Sequence, residues 1–132
     1  MIIVDDKLAL EALGGRLDPS TPEPVATTWC FHYRLMRALR DETRWGALSG
    51  SVTTEARRVA ADPPESRLRV LNPRLITDAA ADLAVQYDLN LLAAELLAAA
   101  RRHRAVVRLS APNVGRRWPE VMAAEGIALV VV

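Results

Sequence analysis

The chain has 132 residues, of which 51% are hydrophobic and 25% charged, with a net charge of +1. This describes one soluble domain, residues 1–132, able to bury a single core, with no overall field that draws it to nucleic acid or a membrane. A single cysteine, Cys30, excludes an intrachain disulfide and points to a reducing cytoplasm. No apolar run approaches the roughly 20 residues needed to cross a bilayer, and Met1 to Val4 is too short for a signal segment. Lys7 is the only lysine, and arginine, which fits phosphate and carboxylate better, supplies the remaining basic residues.

In chain order, Met1-Ile2-Ile3-Val4 reads as a strand buried on both faces that runs into Asp5 and Asp6. Lys7 to Leu13 carries helix formers and meets Gly14-Gly15, a C-cap pair. Residues 18–24, rich in Pro, Ser and Thr, form a surface loop. Val25-Ala26-Thr27-Thr28 is a brief strand or extended lead-in, with either threonine capping a helix from Trp29 to Leu39. That helix has two apolar stripes: Phe31, Leu35, Ala38 and Leu39 on one side, and Trp29, Tyr33 and Met36 on the other. A helix apolar on two sides needs two covers, so the second stripe is an interface candidate for a homodimer.

Residues 45–50 read as a connector, 51–60 as a weak helix, and 62–65 as the break after it. Leu68 to Leu71 alternates as a strand, and Asn72-Pro73 opens a helix that runs towards Tyr87. Asn90 caps a helix from Leu91 to about His103, Ala105 to Leu109 is a strand, and residues 113–125 are mostly helical with Pro119 in the first turn. Gly126 stops that helix, and Ile127 to Val132 is a last strand. Strands separated by helices predict an α/β fold: a three-layer α/β/α domain around a parallel sheet of four or five strands.

In this order the chain resembles a PIN domain, the fold of ribonuclease toxins in many bacterial toxin–antitoxin pairs. The resemblance rests on Met1-Ile2-Ile3-Val4-Asp5, on the threonine-led helix of residues 25–39, on the capped helix after Asn90, and on Val106 to Val132. It implies a PIN-like fold in which carboxylates from distant segments hold Mg²⁺ or Mn²⁺ and generate an attacking hydroxide. Asp5 matches that pattern, and Asp6 stands where a small hydroxyl residue is usual. The helix glutamate falls on Arg34, the acid after the cap falls on Ala93, and the last acid falls on Ser110 or Asn113. Glu95 lies two residues past Ala93, about 200° further round the helix, and so points elsewhere.

The resemblance therefore implies a degenerate toxin-type protein, with Asp5, Asp6 and Asn113 as remnants of a catalytic site and Asp5 and Asp6 as the residual metal ligands. No cofactor is expected, and the protein is read as a binding or oligomerising module. The alternative is a weak Mg- or Mn-dependent ribonuclease with a rearranged acidic site that also draws on Glu95. Arg34 either locks the carboxylates, the preferred reading, or binds phosphate. With Arg34, a patch of Arg101, Arg102, Arg104, Arg116 and Arg117 forms the candidate binding surface for RNA. The partner is a second copy, an antitoxin-like protein or RNA, with no membrane involved. Cys30 reads as a buried small hydrophobe and His32 as a packed helix residue. The opening strand and its acid pair also resemble a receiver-like signalling domain, a further alternative weakened by a third strand that lacks an aspartate.

Overall fold

A computed structural model describes residues 1–13, 23–41 and 68–132. The expectations for Gly14-Gly15, for the loop as far as residue 22, and for residues 45–65 lie outside the described residues. Five parallel strands are described: β1 (Ile2–Val4), β2 (Val25–Thr27), β3 (Leu68–Val70), β4 (Val106–Leu109) and β5 (Leu129–Val131). Five helices accompany them: α1 (Asp6–Leu13), α2 (Trp29–Arg40), α3 (Thr77–Tyr87), α4 (Leu91–His103) and α5 (Trp118–Ala124). The strand order is β3-β2-β1-β4-β5. Receiver domains place β1 between β2 and β3, so the sheet order removes the receiver-like alternative.

Alternation along the strands separates the two faces. Val4 points towards a core of Leu8, Ala9, Leu35 and Leu68, supplied largely by α1 and α2. Ile3 and Val107 point the other way, into a larger core shared with α3, α4 and α5. Right-handed crossovers account for this division: the chain steps one way from β1 to β3 and then returns past β1 to β4 and β5. Thr28 caps α2, its hydroxyl accepting from the Phe31 N–H, and Asn90 caps α4, its side chain accepting from the Ala93 N–H. Residues Ala93 to Ala100 of α4 are all buried. The alanines let α4 approach its neighbours closely on every side.

Two elements differ from the sequence reading. Asn72-Pro73 opens a 3₁₀ turn (Pro73–Leu75) instead of the long helix, because the Pro73 carbonyl accepts from the Ile76 N–H and the Thr77 hydroxyl. The α-helix restarts only at Thr77. Only the start of residues 113–125 differs: a 3₁₀ turn occupies Ala111–Asn113, and α5 begins at Trp118, the start that puts Pro119 in its first turn as read. Gly115 between them is required by packing, since a Cβ there would stand 2.7 Å from Trp118 Cε2. Gly126, at φ 69°, ends the helix as read.

Candidate functional site

The chain reverses direction across the sheet at β1, whose neighbours are β2 and β4. In open parallel sheets the crevice beyond the strand ends at such a point is where ligand sites form. Asp5 follows β1, and Ser110 and Asn113 follow β4, so all three meet there.

Asp5 is fully buried. Its Oδ1 accepts from the Leu8 N–H at 2.9 Å, which makes it the N-cap of α1. Its Oδ2 accepts from the Ser110 N–H at 2.8 Å, from the Ser110 hydroxyl, and from Asn113 Nδ2 at 2.9 Å. The same Asn113 amide donates to Asp6 Oδ1 at 2.7 Å. Arg34 completes the group, with its guanidinium 3.5 Å from Asp6 Oδ2 and 3.3 Å from Asn113 Oδ1. The guanidinium carbon also lies 5.7 Å from the centre of the Phe31 ring, a cation–π distance. Of the two positions open for the last acid, the structure uses both against Asp5. Arg34 pairs with Asp6, not with Asp5.

Every contact made by the Asp5 and Asp6 side chains brings a hydrogen-bond donor to a carboxylate. A hard divalent cation needs several oxygen ligands at one point. Among the described residues no three His, Cys, Asp or Glu side chains converge to hold a metal. The donor set at Asp5 and Asp6 does not fit Mg²⁺ or Mn²⁺, because the amide of Asn113 and the guanidinium of Arg34 already take the oxygens that face the crevice.

Glu95 takes part elsewhere. It is buried, and its carboxylate accepts from the Cys30 N–H at 3.1 Å and from the Cys30 thiol at 2.9 Å. Glu95 thus satisfies a free N–H in the first turn of α2 from across the core. This corrects the reading of Cys30 as a small buried hydrophobe: it is half-buried and donates to a carboxylate. Burial and the adjacent Glu95 push its thiol up to about 12, so it stays protonated and is no nucleophile. The pair was illegible in the sequence because 65 residues separate its members.

The arginines proposed as one patch occupy two ends of the molecule. Arg101, Arg102 and Arg104 lie at the C-terminal end of α4, which meets the start of β4. Arg101 pairs there with Glu125 at 3.3 Å, and Glu125 also accepts from the Tyr87 hydroxyl. Arg116 and Arg117 precede α5, at the strand ends that carry Asp5. A helix and a strand run between the two groups, so they form no single surface.

The second stripe of α2 is exposed in part. Trp29 and Tyr33 are each about half exposed, and their rings stack with centroids 6.1 Å apart and planes 12° from parallel. Met36 is half-buried beside the smaller core. His32 is buried, with Nδ1 lacking a hydrogen-bond partner. Burial lowers its pKa, so the folded chain holds it neutral. The unfolded chain then binds the extra proton, and stability falls as the pH drops through the ordinary histidine range. Urea midpoints at pH 7 and pH 5 should show a larger loss in the natural chain than in His32→Leu. Equal losses would remove His32 as the cause.

No protein-family model matches the chain, and no curated protein matches it. Among solved structures the chain is similar to one from a toxin–antitoxin complex from Klebsiella pneumoniae, with a TM-score of 0.55 and 18% identity. The match covers 82% of this chain and 84% of that one. At that identity the likeness concerns the fold.

Proposed function

We propose that this chain is a PIN-like protein of toxin type that no longer carries out metal-dependent ribonuclease chemistry and acts as a binding module. The observation that carries the reading is the Asn113 amide, which donates to Asp5 and Asp6 at once and occupies the space a shared cation needs. Arg34 adds a fixed positive charge beside Asp6. A cation entering this crevice meets a guanidinium and gains no third carboxylate.

An antitoxin-like protein is the proposed partner, supported by the structural neighbour, which comes from a toxin–antitoxin complex. Trp29, Tyr33 and Met36 are the proposed contact, either with that partner or with a second copy, because stacked and half-exposed aromatics supply contact area at little entropic cost. RNA binding through Arg116 and Arg117, with Arg34, is a weaker proposal because the basic residues are divided between two ends. The protein is proposed to act in the cytoplasm.

Calorimetric titration with Mn²⁺ tests the central claim. The expected result is no binding heat at millimolar metal, together with no cleavage of RNA. Saturable binding, with cleavage that requires the metal, would establish the rearranged ribonuclease instead.

A further inference from the structure

Outside its core-facing side, α2 carries a second ordered row of side chains. Trp29, Tyr33, Met36 and Arg40 follow one another at intervals of four, three and four residues. They fall within about 60° of one another around the helix axis. That alternation is the seam of a helix packed along another helix. Phe31 and Leu35 turn away from it and are buried. Trp29 is 50% exposed, Tyr33 is 55% exposed and Arg40 is exposed, so no described helix of the chain lies along the row.

The two ends of the row differ. Two stacked rings occupy the amino-terminal end, and a guanidinium occupies the carboxyl-terminal end, where it donates to the Met36 carbonyl at 3.1 Å. A second α2, turned end for end about a point between Arg34 and Leu35, sets its Arg40 against Trp29 and its Met36 against Tyr33. By symmetry each pairing occurs twice. A guanidinium over an indole and a thioether against a phenol ring are both favourable contacts. A parallel arrangement would set Arg40 against Arg40. In the antiparallel one the two Arg40 positions lie about 16 Å apart along the axis, well past the roughly 8 Å over which salt screens charge. The Trp29–Tyr33 stack exists already in the single chain, so burying it costs little side-chain freedom. A foreign helix would have to bring the complement of this row, whereas a second copy carries it.

We propose that two copies of this chain pair through antiparallel α2 helices, with Trp29 of each against Arg40 of the other and Tyr33 of each against Met36 of the other. The inference rests on the aromatic contact of the proposed function and commits it to a second copy. The loss of metal chemistry stands or falls separately, with the Mn²⁺ titration.

Sedimentation equilibrium of the full chain over a range of concentrations tests the pairing. The natural chain should approach twice the chain mass as concentration rises. Trp29→Lys, which sets a lysine against Arg40 of the second copy, and Arg40→Glu should each weaken the dimer about tenfold or more. The two substitutions together should restore it, because the introduced lysine and glutamate then face each other twice across the two-fold axis. That restored attraction should fade in high salt. Within one chain the two positions are about 16 Å apart and cannot pair. Both are exposed, so the melting temperature of the dilute monomer should change little. Tyr33→Ser should also weaken the dimer, and it serves if either of the others fails to fold. A chain that stays monomeric at every concentration, or a dimer indifferent to the single substitutions, would overturn the proposal. So would a double substitution that dimerises no more tightly than the single ones.

Discussion

Asp5→Ala should destabilise the chain by about 3–5 kcal/mol, a large share of what a domain of this size has. The carboxylate is fully buried and accepts four hydrogen bonds, one from α1 and three from the segment after β4. Removing it strands the Leu8 and Ser110 N–H groups, the Ser110 hydroxyl and one Asn113 proton away from water. It also strips α1 of its cap, a loss of about 1 kcal/mol by itself. Urea denaturation followed by circular dichroism measures the effect. A change below about 1 kcal/mol would mean that water replaces the carboxylate freely and that Asp5 sits in an accessible site. Asp5→Asn, which keeps the shape and one acceptor oxygen, should fall between the two.

Asn113→Asp should have an effect of opposite sign in the presence and absence of metal. It replaces the donating amide with a third carboxylate against Asp5 and Asp6, so the metal-free protein gathers like charges around one point. Its melting temperature in EDTA should drop by several degrees, corresponding to about 1–3 kcal/mol. Added Mn²⁺ should restore it, because a cation held only by the folded state stabilises by roughly 2.7 kcal/mol at a hundredfold excess over its dissociation constant. The natural chain should show no such response. If Asn113→Asp melts at the same temperature with and without Mn²⁺, the crevice lacks the geometry for a cation whatever residues line it. Removing the guanidinium as well, in Arg34→Ala with Asn113→Asp, should strengthen the response if Arg34 opposes the ion.

The parts of this molecule that were legible beforehand are those whose signals are local. Asn90 and the Thr27-Thr28 pair announce the starts of α4 and α2 because capping is settled within three residues, and the structure selects Thr28. Gly126 announces an end for the same reason. The Pro73 segment misled because proline at a first helical turn fits an α-helix and a 3₁₀ turn equally well, and the choice was made by Thr77, whose hydroxyl takes the Pro73 carbonyl. The meeting of Asp5 with Ser110 and Asn113 was anticipated only through a family resemblance, since their separations of 105 and 108 residues leave no periodic trace. Cys30 with Glu95 had neither a local signal nor a resemblance to reveal it.

The position of β1 has a consequence for how the chain is made. Of the five described strands the first in the chain is the central one, and its second neighbour, β4, begins about a hundred residues later at Val106. Ile2, Ile3 and Val4 therefore cannot be enclosed until β4 has been synthesised. Contacts of such wide sequence separation make folding slow and leave the nascent strand exposed to chaperones and to aggregation during that wait.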